Sequence, residues 1–477
     1  MTNRALTALT AAVLLLAGCT VGPKYRRPAA SVPPQWSVDQ TRGTKTGEPA
    51  EQWWTSFNDP EFDKLVQQAV EANLDLKLAA ARLTEAKAAR GIVKSQLFPS
   101  IDATAAATRN RQGFILPIAG TLGTVRRVPV EFNNFEGGFD ASWELDVFGR
   151  IRQGVHAATA DVAAAAEARR EVLVTVLGEV GRSYTELRGF QLRLEIAKKN
   201  IAIQQDTLEL TKARAAAGLA TELDVERASA QLEATRSVVP TFQSGIEISI
   251  HRLSVLLGRE PGALRAELLP GAPVPVTPPE VPVGLPSELL ERRPDIRQAE
   301  AQIRAATARV GEAKAEYFPR FLLLGTAGRQ ASQLHDITLG LGNFFGAGPA
   351  VSLPIFTGGR IRSQVRVQDA RLQQTVITYR STVLTALEET ENALVAYSEE
   401  QTRREHLEKA VKSNEESVHL SAELYKAGLT DFLSVLDAQR ALYEDEDLLA
   451  QSRTAQTVNL IALYKALGGG WEQFPQP

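Results

Sequence analysis

The chain repeats itself. Arg150-Ile151-Arg152 returns as Arg360-Ile361-Arg362, Ala217-Gly218-Leu219 as Ala427-Gly428-Leu429, and Leu257-Gly258 as Leu467-Gly468, each 210 residues further on. Phe98-Pro99 returns as Phe318-Pro319 after 220 residues, so the first copy holds ten extra residues between its Phe-Pro and its Arg-Ile-Arg. Landmarks in one order at constant spacing mark an internal duplication. The copies span 60–258 and 287–468. Between them, 259–286 carries Pro270, Pro273, Pro275, Pro278, Pro279, Pro282 and Pro286 and reads as an extended linker. Residues 469–477 form a C-terminal tail.

Each copy predicts a very long helix. Proline is absent from 130–239 and from 355–474, and glycine is absent between Arg360 and Ala427. A helix over 150–217 or 360–427 would extend roughly 100 Å at about 1.5 Å per residue. Leu173, Val180, Leu187, Leu194, Ile201, Leu208 and Ala215 recur every seventh position, the period of a left-handed coiled coil. Because 210 is a multiple of seven, the second copy keeps the register through Val383, Tyr397, Val411, Val418 and Tyr425, with Thr390 and Arg404 as exceptions. Gly218 and Gly428 then suit left-handed C-caps. The chain turns back into helices over 221–257 and 430–467, and Pro240 is expected to bend the first of these.

Between Phe-Pro and Arg-Ile-Arg the period changes to two. Phe135, Phe139, Ala141, Trp143 and Leu145 alternate with Glu136, Asp140, Ser142, Glu144 and Asp146, the pattern of a membrane β-strand with one apolar and one charged face. Strands are expected over 100–108, 135–146, 321–329 and 344–353, with 109–134 and 330–343 as loops outside the cell. Residues 321–329 fit least well, since Phe321-Leu322-Leu323-Leu324 is apolar on both faces. Four strands cannot close a barrel, and open edges in lipid leave backbone groups unpaired. The sheet must be shared among copies, in a number the residues do not choose.

The N-terminus reads as an export signal. Arg4 precedes the apolar run 5–16, too short to span a bilayer, and Leu16-Ala17-Gly18-Cys19 resembles the lipobox of bacterial lipoproteins. Residues 1–18 are expected to be cleaved, leaving 19–59 as a lipidated, extended segment. Cys19 is the one cysteine, so an internal disulfide is excluded. The resemblance implies S-diacylglycerol and N-palmitoyl groups on Cys19. Thr20, in place of aspartate, implies sorting to the outer membrane.

Further motifs carry a wider resemblance. They are Val21-Gly22-Pro23-Lys24-Tyr25, Trp53-Trp54, Phe57-Asn58-Asp59-Pro60, Ser142 to Arg150, Leu290 to Ile296, Pro354 to Arg360, Leu436 to Arg440 and Tyr464 to Trp471. Together they resemble the lipoprotein outer-membrane factors of TolC-like efflux systems, over nearly the whole mature chain. The resemblance implies a mainly α protein with a membrane β-barrel: a homotrimer with twelve strands in the outer membrane and a twelve-helix periplasmic tunnel. It implies a passive export duct that meets outer-membrane lipids, a periplasmic adaptor (membrane fusion) protein and an inner-membrane pump. It places adaptor docking at the tips Gly218, Leu219, Gly428 and Leu429. It places a periplasmic gate at Leu433, Asp437 and Arg440, with a second link between Tyr425 and Asp224. At Thr430 and Ser434 the chain departs from TolC, which has an arginine and an aspartate there.

Other chemistries find little support. The net charge of −3 supplies no basic footprint for nucleic acid. No phosphate loop, GxSxG elbow or HExxH spacing occurs, so neither a cofactor, a metal nor an enzyme activity is expected. Glu444-Asp445-Glu446-Asp447 reads as a solvated helix face or, alternatively, a lumen-lining ring. A periplasmic adaptor would have one hairpin and compact β-domains. A scaffold coiled coil would not need the charged face of 135–146.

Overall fold

The structure is a computed structural model that describes residues 20–37, 43–45, 47–117, 125–339 and 342–474. Cys19 and the expected signal segment lie outside the described residues. In chain order the main elements are α1 (Pro60–Ala72), α2 (Leu74–Ser95), β1 (Ser100–Pro117), β2 (Val125–Leu145), α3 (Arg150–Ala216), α4 (Glu222–Leu256), α5 (Pro294–Ala315), β3 (Arg320–Ala331), β4 (Asn343–Ser352), α6 (Arg360–Lys426) and α7 (Phe432–Ala466). Among the described residues no helix is long and apolar enough to cross a membrane.

Local chemistry sets the helix ends. Asp59 accepts hydrogen bonds from the Glu61 and Phe62 amides at the start of α1, with Pro60 at the first helical position. Thr221 and Asp224 form a reciprocal capping box on α4. Asp431 caps α7 through the Ser434 amide. α4 stays helical across Pro240.

The chain divides into two compact units. One contains Thr84–Ala163 and Glu300–Ile377 with the N-terminal segment to Pro28; the other contains Ala29–Leu83, Ala164–Ala299 and Thr378–Pro477. The first unit holds an antiparallel sheet in the order β1-β2-β3-β4. Its two hairpins have one register: Ser100 faces Ser142 in the first, and Arg320 faces Ser352 in the second, at the repeat spacings of 220 and 210. β1 and β2 are longer than the expected strands, pairing outward as far as Pro117 and Val125. Residues 109–117 and 125–134 are therefore strand where a loop was expected. A hairpin satisfies its own backbone groups whether or not its faces are apolar. Arg109 and Arg111 both reach Glu131 there.

The second unit buries part of the heptad stripe and leaves Leu194, Ile201, Ala215, Val411 and Val418 half-buried. Leu173, Val180, Leu187 and Leu208 are buried on α3, and Val383, Tyr397 and Tyr425 on α6. Thr390, an exception to the apolar pattern, is fully buried as well. Its hydroxyl donates to the Ala386 carbonyl one turn back. The duplication recurs as contacts: Asn73 Nδ2 donates to Leu256 O at 2.8 Å, and Arg293 Nη1 donates to Ala466 O at 2.9 Å, at matching positions of the two copies.

Candidate functional site

In the sheet unit, strand register sorts the side chains onto two faces. One face carries Ile101, Phe139, Trp143, Leu323, Phe345 and Val351, all exposed to solvent in the single chain. The opposite face carries Asp102, Thr104, Glu136, Asp140, Ser142 and Glu144, with Thr104 Oγ1 donating to Asp140 at 3.0 Å. The segment 321–329 that fitted least well is divided by the same rule. Phe321 and Leu323 lie on the apolar face, and Leu322 and Leu324 on the polar one. Glu144 ends the polar row and takes a two-pronged ion pair from Arg150, at 3.0 and 2.8 Å. Asp146 accepts the Ile151 and Arg152 amides and so caps α3. The junction motif Ser142 to Arg150 is thus the hinge from strand to helix.

In the helical unit, the remaining motifs build an aromatic belt. Trp53 stacks on Tyr464 at 5.4 Å and Phe62 on Tyr184 at 5.5 Å, while Tyr184 Oη donates to Asp59 at 2.8 Å. Burial pushes the Tyr184 hydroxyl well above its ordinary range. Asn58 takes the left-handed conformation that ends the Trp53–Phe57 turn. The guanidinium groups of Arg170 and Arg297 both lie over the Trp471 ring, at 4.4 and 5.1 Å. Arg293 is buried and paired with Asp295 and Glu389. Beside it a cavity of about 530 Å³ is lined by Glu171, Asp295, Glu389 and Lys465. Burial, reinforced by Asp295, raises the Glu171 carboxyl; Arg293 and Lys465 oppose the shift.

The two hairpin tips share one geometry. Gly218 and Gly428 have φ of 72° and 74°. The Leu219 amide reaches back to Arg214 O at 2.8 Å, and the Leu429 amide to Leu424 O at 2.9 Å. Both are Schellman caps, and they leave Leu219 and Leu429 67% and 74% exposed.

The residues expected at a gate all lie in this unit, with unexpected partners. Asp224 is engaged by Thr221, whose hydroxyl donates to Asp224 Oδ2 at 2.7 Å. Tyr425 is buried beside Phe432, under the Arg214 guanidinium at 4.5 Å, and among the described residues its hydroxyl has no partner. Among the described residues no hydrogen bond joins Tyr425 to Asp224. Arg440 donates from Nε and Nη2 to Gln231 Oε1, both at 3.2 Å. Among the described residues no ion pair joins it to Asp437. Leu433 is exposed.

Three residues of the acidic run are engaged within the chain, and Glu444 is exposed. Glu446 is buried and accepts from Asn200 Nδ2 at 2.7 Å, with Lys199 at 3.3 Å. Asp447 pairs with Arg193, and Asp445 accepts from Asn414. Gln439, seven residues before Glu446, donates to Thr207, seven residues after Asn200. These polar layers join α7 to α3 in antiparallel heptad register. Charge alone gave no sign of the α3 partners, which lie some 230–255 positions away in sequence, whereas Asn414 lies on α6, 31 positions from Asp445.

A sheet with one apolar and one acidic face, carried with long capped helical hairpins, defines a membrane channel component. The chain belongs to the outer membrane efflux protein family, whose model matches residues 65–259 and 285–469. It is 32% identical over 464 residues to the pyoverdine export outer membrane protein OpmQ of Pseudomonas aeruginosa, covering 97% of this chain and 96% of that one. It is 31% identical over 471 residues to the toluene efflux pump outer membrane protein TtgI of Pseudomonas putida, covering 96% and 97%. The solved outer-membrane channel OprN superposes with a TM-score of 0.86 at 36% identity, covering 95% of this chain and all of that one. The protein is an outer-membrane efflux channel.

Proposed function

We propose that three copies of this chain share one twelve-stranded barrel and a twelve-helix periplasmic tunnel, forming the exit duct of a tripartite pump. The carrying observation is the four-stranded sheet with two free edges and one exposed apolar face. Neither edge can face lipid unpaired. The apolar face meets the bilayer, and the acidic face lines the duct. Substrate is handed over by an inner-membrane pump, and a periplasmic adaptor grips the tips through Leu219 and Leu429. Cys19 is acylated with S-diacylglycerol and N-palmitate, several chains anchoring far more firmly than one. The duct closes at rest near Leu433, Asp437 and Arg440, with Tyr425 and Asp224 between the hairpins. Both Thr221 bonds reach Asp224 Oδ2, which leaves Oδ1 to accept from Tyr425. Light scattering of the detergent-extracted protein, corrected for bound detergent, tests the assembly. Three chains per particle are expected; a folded monomer would contradict it.

A further inference from the structure

Within the chain, one seam joins the two repeats: β2 pairs with β3, placing Ser142 opposite Leu324. Each repeat's own hairpin has the same register as the other's, so strands can be exchanged by the repeat spacing. Moving β2 forward by 210 gives β4, and moving β3 back by 220 gives β1. The same seam, drawn between the free edges of two copies, sets Ser352 opposite Thr104 and Val351 opposite Ala105.

Three bare features lie where such a seam would run. The turn after β2 packs Phe148 against Phe318, just before β3, with the tilted rings 4.7 Å apart. The matching residue before β1, Phe98, is 63% exposed, and the turn after β4 presents Ile355 and Phe356 at 92% and 91%. Phe356 stands two residues before the position that matches Phe148, so its ring approaches from a shifted point. The third feature is a glycine. A Cβ on Gly311 of α5 would meet Gln153 of α3 at 2.8 Å, whereas its counterpart Gly91 on α2 faces open space. Ser363, the counterpart of Gln153, is exposed.

We propose that the free edges are joined copy to copy in this one register, with Ser352 of one chain opposite Thr104 of the next. Phe356 of the first chain closes on Phe98 of the next, and Ser363 approaches Gly91. The occupant is a second copy because every bare feature has an occupied equivalent inside the same chain. This rests on the shared-barrel reading and adds its register.

Full-length Thr104→Cys/Ser352→Cys and Ala105→Cys/Val351→Cys variants, oxidised in isolated outer membranes, test it. Adjacent facing pairs alternate between close and wide spacing, so one of the two is suited to bridging. A covalent ladder up to the full oligomer is expected from at least one, and none from Thr104→Cys/Ala350→Cys, which is shifted by two residues. Equal or stronger cross-linking of the shifted pair, or none from either matched pair in a particle that scatters as an oligomer, overturns the register alone. A particle that scatters as a monomer overturns the shared barrel as well. Phe98→Ala and Phe356→Ala should each lower the temperature at which the oligomer dissociates, with no further drop in the double variant. A fully additive drop would mean that the rings do not touch.

Discussion

Arg193 and Asp447 meet in a two-pronged ion pair, Nε to Oδ1 at 2.6 Å and Nη2 to Oδ2 at 2.9 Å, which ties the long helix of the first repeat to the return helix of the second. Arg193 also lies over the Phe242 ring at 4.5 Å, so its position is held from two sides. Removing the carboxylate strands a partly buried guanidinium. Asp447→Ala should cost about 1–3 kcal/mol in denaturant unfolding. Adding Arg193→Ala should cost less than the sum of the two single changes. Strict additivity would show that the pair carries no coupling.

Glu171 predicts a pH effect. Its folded carboxyl titrates above the ordinary value of 4.5, mainly through burial and then through Asp295. Folding must hold a disfavoured charge once the pH rises above the ordinary carboxylate range. Stability from this group is therefore greatest in acid and falls as pH rises through its raised folded value. Glu171→Gln should raise the melting temperature at neutral pH, with the gain vanishing in acid. A gain independent of pH would assign the effect to packing.

The sequence made much of this legible because its strongest signals are periodic. Heptads located the buried stripes of α3 and α6, and two-residue alternation located the membrane face of β2. The signals failed where a partner is remote or where two conformations satisfy the backbone equally. Thr390 breaks the apolar pattern yet is buried, because its hydroxyl bonds one turn back. The outer half of β2 changes phase, since Val130 and Phe132 fall on the face that carries Glu136 and Asp140 further along the strand. Glu446 and Asp447 looked like surface charge because Asn200 and Arg193 lie in the other repeat. Asp224 reads as a partner for Tyr425, whereas its hydrogen bonds go to Thr221 of its own helix cap.

The tips separate docking from folding. Leu219→Glu or Leu429→Glu should impair efflux while leaving oligomer yield unchanged, since both side chains are exposed. Gly218→Ala or Gly428→Ala should reduce yield instead, because each forces a side chain into the left-handed region at roughly 1–2 kcal/mol. Loss of yield in the leucine variants would reduce the tips to caps.

For the anchor, Cys19→Ser should abolish incorporation of labelled palmitate while the barrel still inserts, giving reduced export. Label persisting on the variant would place the lipid elsewhere.

Arg440 and Gln231 set the expected behaviour of the gate. If Arg440 is steered by Gln231, Gln231→Ala should raise channel conductance in the same direction as Asp437→Ala with Arg440→Ala. An effect confined to the charged residues would place Gln231 outside the constriction.

The most direct test of the whole account is single-channel recording of the purified full-length protein in a planar bilayer. Discrete conductance steps of one uniform size are predicted, larger when Asp437→Ala, Arg440→Ala, Tyr425→Phe and Asp224→Ala are combined. A folded, membrane-inserted protein that gave no steps, in the wild type or in the combined variant, would contradict the reading of this chain as a duct.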